Sequence, residues 1–537
     1  MRKNKIYAIF IALSIGGLIF SCVEDKGSKI VLDINEIEIS GIELRYDKTS
    51  YFDTLKVTPA IDCSLEGFSE DNLEYAWFFC QNSESLSNHK HEQISSERNL
   101  VYKVDVPPGM YTIYFQVTDK STGVKYDHSF SLYATSQFVR GFYLYGDKPD
   151  GTVGLDFVSM PLGKDTTLIK DIFINSLQIK GAKDLIFTGH KDNGYNALWA
   201  VTQDNQYSIE YSAQLERVDI IQDQKLEDRI YPTLSSVQRP FHLMNICPGT
   251  WGPNCISLSG EARMRLIITE NEIFTGNIAL SEAYGNPINR DHANTDQLFK
   301  PYPVAFYSAV ESSVSYVCFF DMTNHCFKKP GHRNMSSATK CDKPSVDSEF
   351  PFYFDQNKYS PVRQIVYGEN GYGNNGRSYA LMNDADGNYW VYAFTAPAEY
   401  ASDPIKHYAS PIDLSVATDI ARAEHYAFFS EQMIILYSVG NLLYAYDYNR
   451  HDLQVIDMGA EITYLAMEHQ SALSASDFIV ATYDDLEKGV VRKYSITDDV
   501  IKLHKSEDAN DSIYFVRQEL VVPTYTEVTK RDSVVTY

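Results

Sequence analysis

Two patterns of apolar and polar positions follow one another along the chain. Between residues 29 and 137, short runs alternate apolar and polar: 30–39, 55–61, 75–79, 102–106, 110–117 and 128–133. A period of two marks strands with one buried face, and turn residues separate the runs. No run has helical length. Six or seven short strands in about 110 residues predict an Ig-like β-sandwich. Tyr75-Ala76-Trp77 alternates as a central strand should, with Trp77 as core anchor. Pro107-Pro108-Gly109 turns the chain into a strand that runs to Val117-Thr118-Asp119.

From residue 138 a different unit recurs: strand, tight turn, strand. Copies begin at Leu198, Tyr316, Tyr389, Leu443 and Val491, at intervals of about 118, 73, 54 and 48 residues. The first interval is about twice a repeat, so one copy between Leu198 and Tyr316 is missing from this reading. Units of about 50–60 residues with four strands each predict a β-propeller. Residues 138–537 would hold seven blades. The fold class is therefore all-β, a sandwich followed by a propeller; the competing arrangement is a stack of sandwiches.

Composition agrees. Aromatic residues make up 13% of the chain, with 39 Tyr against 4 Trp, which favours strands. The formal charge is -24, which excludes a basic nucleic-acid footprint and repels anionic lipid. Membrane attachment then needs a dedicated anchor. The N-terminus offers one: Arg2, Lys3 and Lys5 precede an apolar stretch over 6–20 that is too short for a comfortable membrane span. It ends in Leu18-Ile19-Phe20-Ser21-Cys22, which resembles a bacterial lipobox. Cys22 would become the diacylated N-terminus, and two acyl chains anchor stably. Residues 1–21 read as signal peptide, 22–28 as lipidated tether, 29–137 as sandwich and 138–537 as propeller.

Removal of Cys22 leaves seven cysteines in a compartment that permits disulfides. Cys247 with Cys255 would close a Gly/Pro loop carrying Trp251. Cys63 with Cys80 would staple the sandwich, and Cys318 with Cys326 would flank a hairpin. None has CxxC spacing, and no metal site is expected.

Candidate chemistry is sparse. Gly371-Tyr372-Gly373-Asn374-Asn375-Gly376-Arg377-Ser378 satisfies G-x-G-x-x-G, but that motif needs a following helix to hold phosphate. Here a hairpin signal follows at Asn383-Asp384-Ala385-Asp386-Gly387, so a blade loop is expected. Asp384 begins a run similar to a calcium loop, but Tyr389 stands where Gly is required, so a plain turn is expected. His89-Lys90-His91-Glu92 reads as a solvated loop. No nucleophile motif, H-E-x-x-H or singled-out carboxylate pair occurs, so no enzymatic activity and no cofactor are expected. Aromatic display remains: Trp251, Tyr372 and Tyr284 are the candidate ligand-binding residues, while Trp199 and Trp390 read as core.

The chain resembles the PKD-like family of Bacteroidetes surface lipoproteins. The residues that carry the resemblance are Cys22-Val23-Glu24-Asp25-Lys26-Gly27, Asp33-Ile34-Asn35-Glu36-Ile37 and Asp53-Thr54-Leu55-Lys56-Val57-Thr58-Pro59. Ser96-Glu97-Arg98-Asn99-Leu100, 117–124 and Gly141-Phe142-Tyr143-Leu144 extend it. The resemblance implies an outer-membrane lipoprotein facing the cell exterior, beside a SusC/SusD-like TonB-dependent transporter pair and neighbouring lipoproteins. It would capture or present an oligopeptide or oligosaccharide. The alternatives are a scaffold that binds no nutrient and a propeller hydrolase. Thr54, Thr166, Ser512 and Ser533 each follow Asp, as in the Bacteroidetes O-glycosylation sequon.

Overall fold

Trp77 sits at the centre of the first of two compact units, 1–134 and 135–537, its indole N–H donating to the Glu97 carbonyl at 2.8 Å. The structure is a computed structural model. It describes residues 34–505 and 524–529, apart from 51, 82–90, 136, 137, 139, 149, 160–166, 189–196, 210–217, 238, 248–263, 278–282, 291–296, 308–316, 331–337, 341–349, 351–360, 372, 397–402, 468–476, 485–487 and 498–501.

The first unit is a β-sandwich. Its strands are β1 (Ile37–Ser40), β2 (Arg45–Thr49), β3 (Thr54–Val57), β4 (Ala60–Cys63), β5 (Leu73–Gln81), β6 (His91–Ser95), β7 (Leu100–Lys103), β8 (Gly109–Asp119) and β9 (Lys125–Thr135). A five-stranded sheet in the order β2-β9-β8-β5-β6 is accompanied by the two-stranded ribbons β1-β4 and β3-β7. The core between them holds Trp77 stacked on Phe115 at 4.2 Å, with Leu55, Leu100, Ile113, Phe130 and Leu132. The run at 55–61, expected as one strand, is two. Thr58-Pro59 breaks it, since Pro has no N–H to give a ladder. Tyr111 near the start of β8 donates its hydroxyl to the Pro107 carbonyl at 2.6 Å. That is the tyrosine corner of Ig-like domains. Asp119, at the other end of β8, accepts from the Ser121 hydroxyl and N–H, which hold its carboxyl below the usual range.

The second unit is a propeller. Among the described residues it has seven antiparallel sheets. Blade 1 comprises Thr524–Thr529, Arg140–Asp147, Val153–Ser159 and Thr167–Ile169. Blade 2 comprises Ala182–Thr188, Ala197–Thr202, Gln206–Ile209 and Ile220–Lys225. Blade 3 shows Leu243–Cys247, Met264–Thr269 and Ile273–Asn277. Blade 4 has Pro301–Phe306, Cys318–Asp321, Cys326–Pro330 and Ala338–Lys340. Blade 5 has Gln364–Asn370, Ser378–Asn383, Tyr389–Thr395 and Ile405–Pro411. Blade 6 has His425–Phe429, Ile434–Val439, Leu442–Asp447 and Asp452–Asp457. Blade 7 has Glu461–Met467, Asp477–Asp484, Lys488–Thr497 and Lys502–Lys505. The first-named strands neighbour one another around the axis and are the innermost. The ring closes through the C-terminal strand, where Arg140 pairs with Thr529.

Each junction between adjacent blades has its own apolar cluster. Along Arg140–Asp147, Tyr143 and Tyr145 pack toward blade 2, whereas Phe142 and Leu144 pack toward blade 7. Alternate residues of one strand thus serve two junctions, and the central strands are buried on both faces. Among the described residues, seven such clusters run around the ring.

The repeat read from sequence is real but mixes two positions. The copies at Leu198 and Tyr316 are second strands, whereas those at Tyr389, Leu443 and Val491 are third strands. Both strand types are buried on both sides, so their sequences look alike. The missing copy is the second strand of blade 3, Met264–Thr269. The turn after the second strand has a recurring device. Thr202 and Thr269 accept the N–H of Asn205 and Glu272 at 3.1 and 3.0 Å. Asp321 accepts those of Thr323 and Asn324, and Asp384 those of Asp386 and Asn388. Short oxygen-bearing side chains satisfy turn amides in this way, and Asp384 serves the plain turn expected of it.

Candidate functional site

In an antiparallel blade the start of the first strand and the end of the second lie at the same end of the ring. Blades 2, 3 and 4 line a half-open cavity of about 520 Å³ at that end. Blade 2 contributes Lys183 and Gln203. Blade 3 contributes His242, Met244, Thr269 and Glu270. Blade 4 contributes Lys300, Pro301, Pro303 and Met322.

Backbone bonds fix each lining turn to the inner edge of its own blade. The N–H groups of Gln203, Glu270 and Met322 donate to the carbonyls of Gly181, His242 and Lys300 at 3.0, 3.0 and 2.8 Å. Between blades, the Asn245 side-chain amide donates to the Pro303 carbonyl at 2.9 Å. Pro301 and Pro303 are tolerated because an innermost strand is a sheet edge, where an N–H can be spared. The walls are therefore preformed and held by backbone.

Met244 and Met322 are 43% and 37% exposed. Large apolar side chains at a cavity wall offer apolar area to a ligand. The polar rim carries Lys300, whose Nζ lies 3.9 Å from Glu270 Oε1, with both side chains about half exposed. Such a pair is worth little in water and leaves both groups able to meet a ligand. Lys300 also lines an adjoining hollow of about 450 Å³, with Asn271, Glu272 and Thr323. There the Thr269 hydroxyl donates to the buried Glu272, whose carboxyl is pushed up by burial.

Deeper in the ring, Tyr302, Tyr367 and Tyr464, from the innermost strands of blades 4, 5 and 7, converge with Glu369. The Tyr367 hydroxyl donates to Glu369 Oε2 at 2.7 Å, and the Phe428 N–H of blade 6 donates to Oε1. Exclusion of water pushes the Glu369 carboxyl up to about 7, although these two bonds oppose the shift. Burial pushes the Tyr302 hydroxyl up to about 12.

The residues singled out from sequence fall differently. Cys22, Trp251, Cys255, Tyr372, Thr166, Ser512 and Ser533 lie outside the described residues. Tyr284 is core, not display. It is 1% exposed in the junction of blades 2 and 3, and its ring fills the space over Gly276, where a Cβ would lie 2.8 Å from Cε1. Thr54 is exposed at the start of β3, but Asp53 before it is engaged with the Thr49 N–H at 2.7 Å.

The expected Cys63–Cys80 bridge is absent, and both thiols are free. Cys63 packs on the sandwich core, whereas Cys80, opposite Thr112, points to the other face of the five-stranded sheet from Trp77. Cys247 is likewise a free thiol, buried and pushed up to about 12 by desolvation. Cys318 and Cys326 are not bridged. Register pairs Asp321, not Cys318, with Cys326.

The Gly371 loop joins the first two strands of blade 5, so it lies at the opposite end of the ring from the cavity. A single helical turn, Gly373–Gly376, packs there against Ser430, whose Oγ accepts the Gly373 N–H at 2.8 Å. One amide of the loop is thereby occupied. Trp199 is fully buried, as expected. Trp390 is only half-buried and carries the Arg363 guanidinium 3.9 Å over its ring.

Residues 22–183 match the PKD-like family. The match covers the sandwich and the blade 1 strands Arg140–Asp147, Val153–Ser159 and Thr167–Ile169, and ends at the start of blade 2. No curated protein matches the chain. Among solved structures, a quinonprotein alcohol dehydrogenase-like protein of Bacteroides thetaiotaomicron is 12% identical, with 93% of this chain and 100% of that chain covered and a TM-score of 0.31. The extracellular domain of a one-component system of the same organism is 12% identical over 79% of this chain and 56% of that one, TM-score 0.34. The WD40 domain of SCAP from fission yeast is 9% identical over 66% and 71%, TM-score 0.28. The assignment of a propeller rests on the chain's own seven sheets and their closure.

The cavity residues were not singled out from sequence. They belong to no motif, because they are the first residues of three innermost strands and the turns beside them. One signal was present: Lys300-Pro301-Tyr302-Pro303 sets two prolines in a strand, which marks a sheet edge.

Proposed function

We propose that this chain is a lipid-anchored protein of the outer cell surface whose propeller captures an oligomeric nutrient and presents it to a SusC/SusD-like importer, without chemical turnover. The cavity of about 520 Å³ between blades 2, 3 and 4 carries the reading. It is preformed, holds exposed apolar side chains, and has a charged rim. Cys22 in its lipobox supports the anchor, and the match of 22–183 to the PKD-like family supports the surface setting. A binder held beside its transporter gains effective concentration, so a modest direct interface suffices.

The experiment is gentle detergent extraction of the native membrane followed by affinity isolation of this protein. A SusC/SusD-like pair should co-purify in near-stoichiometric amounts, and protease added to intact cells should remove the protein. Isolation of a lone protein that survives protease on intact cells, or that shortens a polysaccharide or peptide, would overturn the reading.

A further inference from the structure

We infer that the ligand of the cavity between blades 2 and 4 is a short oligopeptide with an apolar side chain and a carboxylate, rather than a glycan; this rests on the capture reading above. Three observations carry it. First, the apolar part of the wall is methionine and proline. Met244 and Met322 stand 43% and 37% exposed, from two different blades. Methionine is unbranched and polarisable and adapts to side chains of varied shape, as promiscuous peptide-binding surfaces require. A sugar ring is instead met by a flat aromatic plate, and among the described lining residues no Phe, Tyr or Trp is present.

Second, the charge of the wall runs against that of the chain. The protein carries -24 overall, yet Lys183 and Lys300 stand with the single carboxylate of Glu270 in this lining. In an acidic protein, a locally basic mouth favours an anionic group and steers it there. A peptide supplies one at its C-terminus or on Asp and Glu. Third, Gln203 and Glu270 offer the hydrogen-bond acceptors that peptide N–H groups need, on turns whose own amides are already satisfied by Gly181 and His242. The cavity thus presents apolar side chains, lysines and acceptors together.

The test uses the full purified chain and named probes: a tryptic digest of casein, maltoheptaose and an oligogalacturonate. Peptides should be retained and identified by mass spectrometry, and neither glycan should bind. For a retained acidic peptide, the double variant Met244→Ala/Met322→Ala should weaken binding at least fivefold and Lys300→Glu at least tenfold. Met110→Ala, an exposed methionine of the sandwich, should leave binding unchanged. Should the methionine double variant melt early, Lys300→Glu alone decides, since Lys300 is about half exposed and lies outside the core. Binding of either glycan that the same variants abolish would overturn the peptide assignment while leaving capture intact. Failure of every probe to bind would remove the capture reading itself. Peptide binding indifferent to these variants would place the site elsewhere and overturn the inference.

Discussion

The side-chain amide of Asn245 donates to the carbonyl of Pro303 across 2.9 Å, joining the innermost strand of blade 3 to that of blade 4. Both residues adjoin the cavity wall: Met244 precedes Asn245, and Pro303 itself lines the space. Asn245→Ala should therefore cost about 1 kcal/mol of stability, the net worth of a typical hydrogen bond. It should also loosen peptide binding, because the relative placement of Met244 and Pro303 is no longer fixed. Thermal melts and binding isotherms on the same preparation would check both. A variant with native melting and native affinity would show that this bond positions nothing.

Gly371 should not tolerate a side chain. A Cβ there would lie 2.6 Å from Ser430 Cβ, 2.8 Å from Tyr379 Cε2 and 2.9 Å from the Arg377 carbonyl oxygen. Backbone and packed neighbours cannot yield cheaply, so Gly371→Ala should cost roughly 1–3 kcal/mol by overpacking. Ligand binding should persist at temperatures where the variant is folded, since the loop lies at the far end of the ring. Denaturant titration measures the first effect and calorimetry the second.

Glu369 should make stability depend on pH. Its carboxyl is held at about 7 against an ordinary 4.5, chiefly by loss of water around it. A raised acid pKa means that the folded state favours the neutral form. The contribution is full below about pH 4.5 and is lost as pH rises toward 7. The span is worth roughly 3 kcal/mol. Glu369→Gln keeps an acceptor for the Phe428 N–H and should flatten this part of the profile. Equal slopes for the two proteins between pH 4.5 and 7 would contradict the placement of Glu369.

Legibility in the sequence followed burial. Strand β8 alternates cleanly because one face meets the core, and Trp77 on its neighbour β5 reads as the core anchor that it is. Strands β2, Arg45-Tyr46-Asp47-Lys48-Thr49, and β6, His91-Glu92-Gln93-Ile94-Ser95, carry no alternation in sequence because they are sheet edges with few buried positions. In the propeller, central strands bury both faces, so second and third strands could not be told apart and the repeat spacing came out uneven. The site was the least legible part. Tyr284 looks like a displayed ring beside a Gly-Asn-Pro turn, yet Gly276, on the third strand of blade 3, leaves the hollow that it fills. Met244, Lys300 and Met322 gain their meaning only when three blades bring them to one wall.

Hydrogen–deuterium exchange of the full chain, with and without the casein digest, tests most directly where the propeller binds. The account predicts slowed exchange at Leu243–Cys247, in the turn after Met264–Thr269 and in the turn after Cys318–Asp321, with no change at Gly373–Gly376. Protection confined to Gly373–Gly376 and its neighbours, with these segments of blades 3 and 4 unaltered, would contradict it.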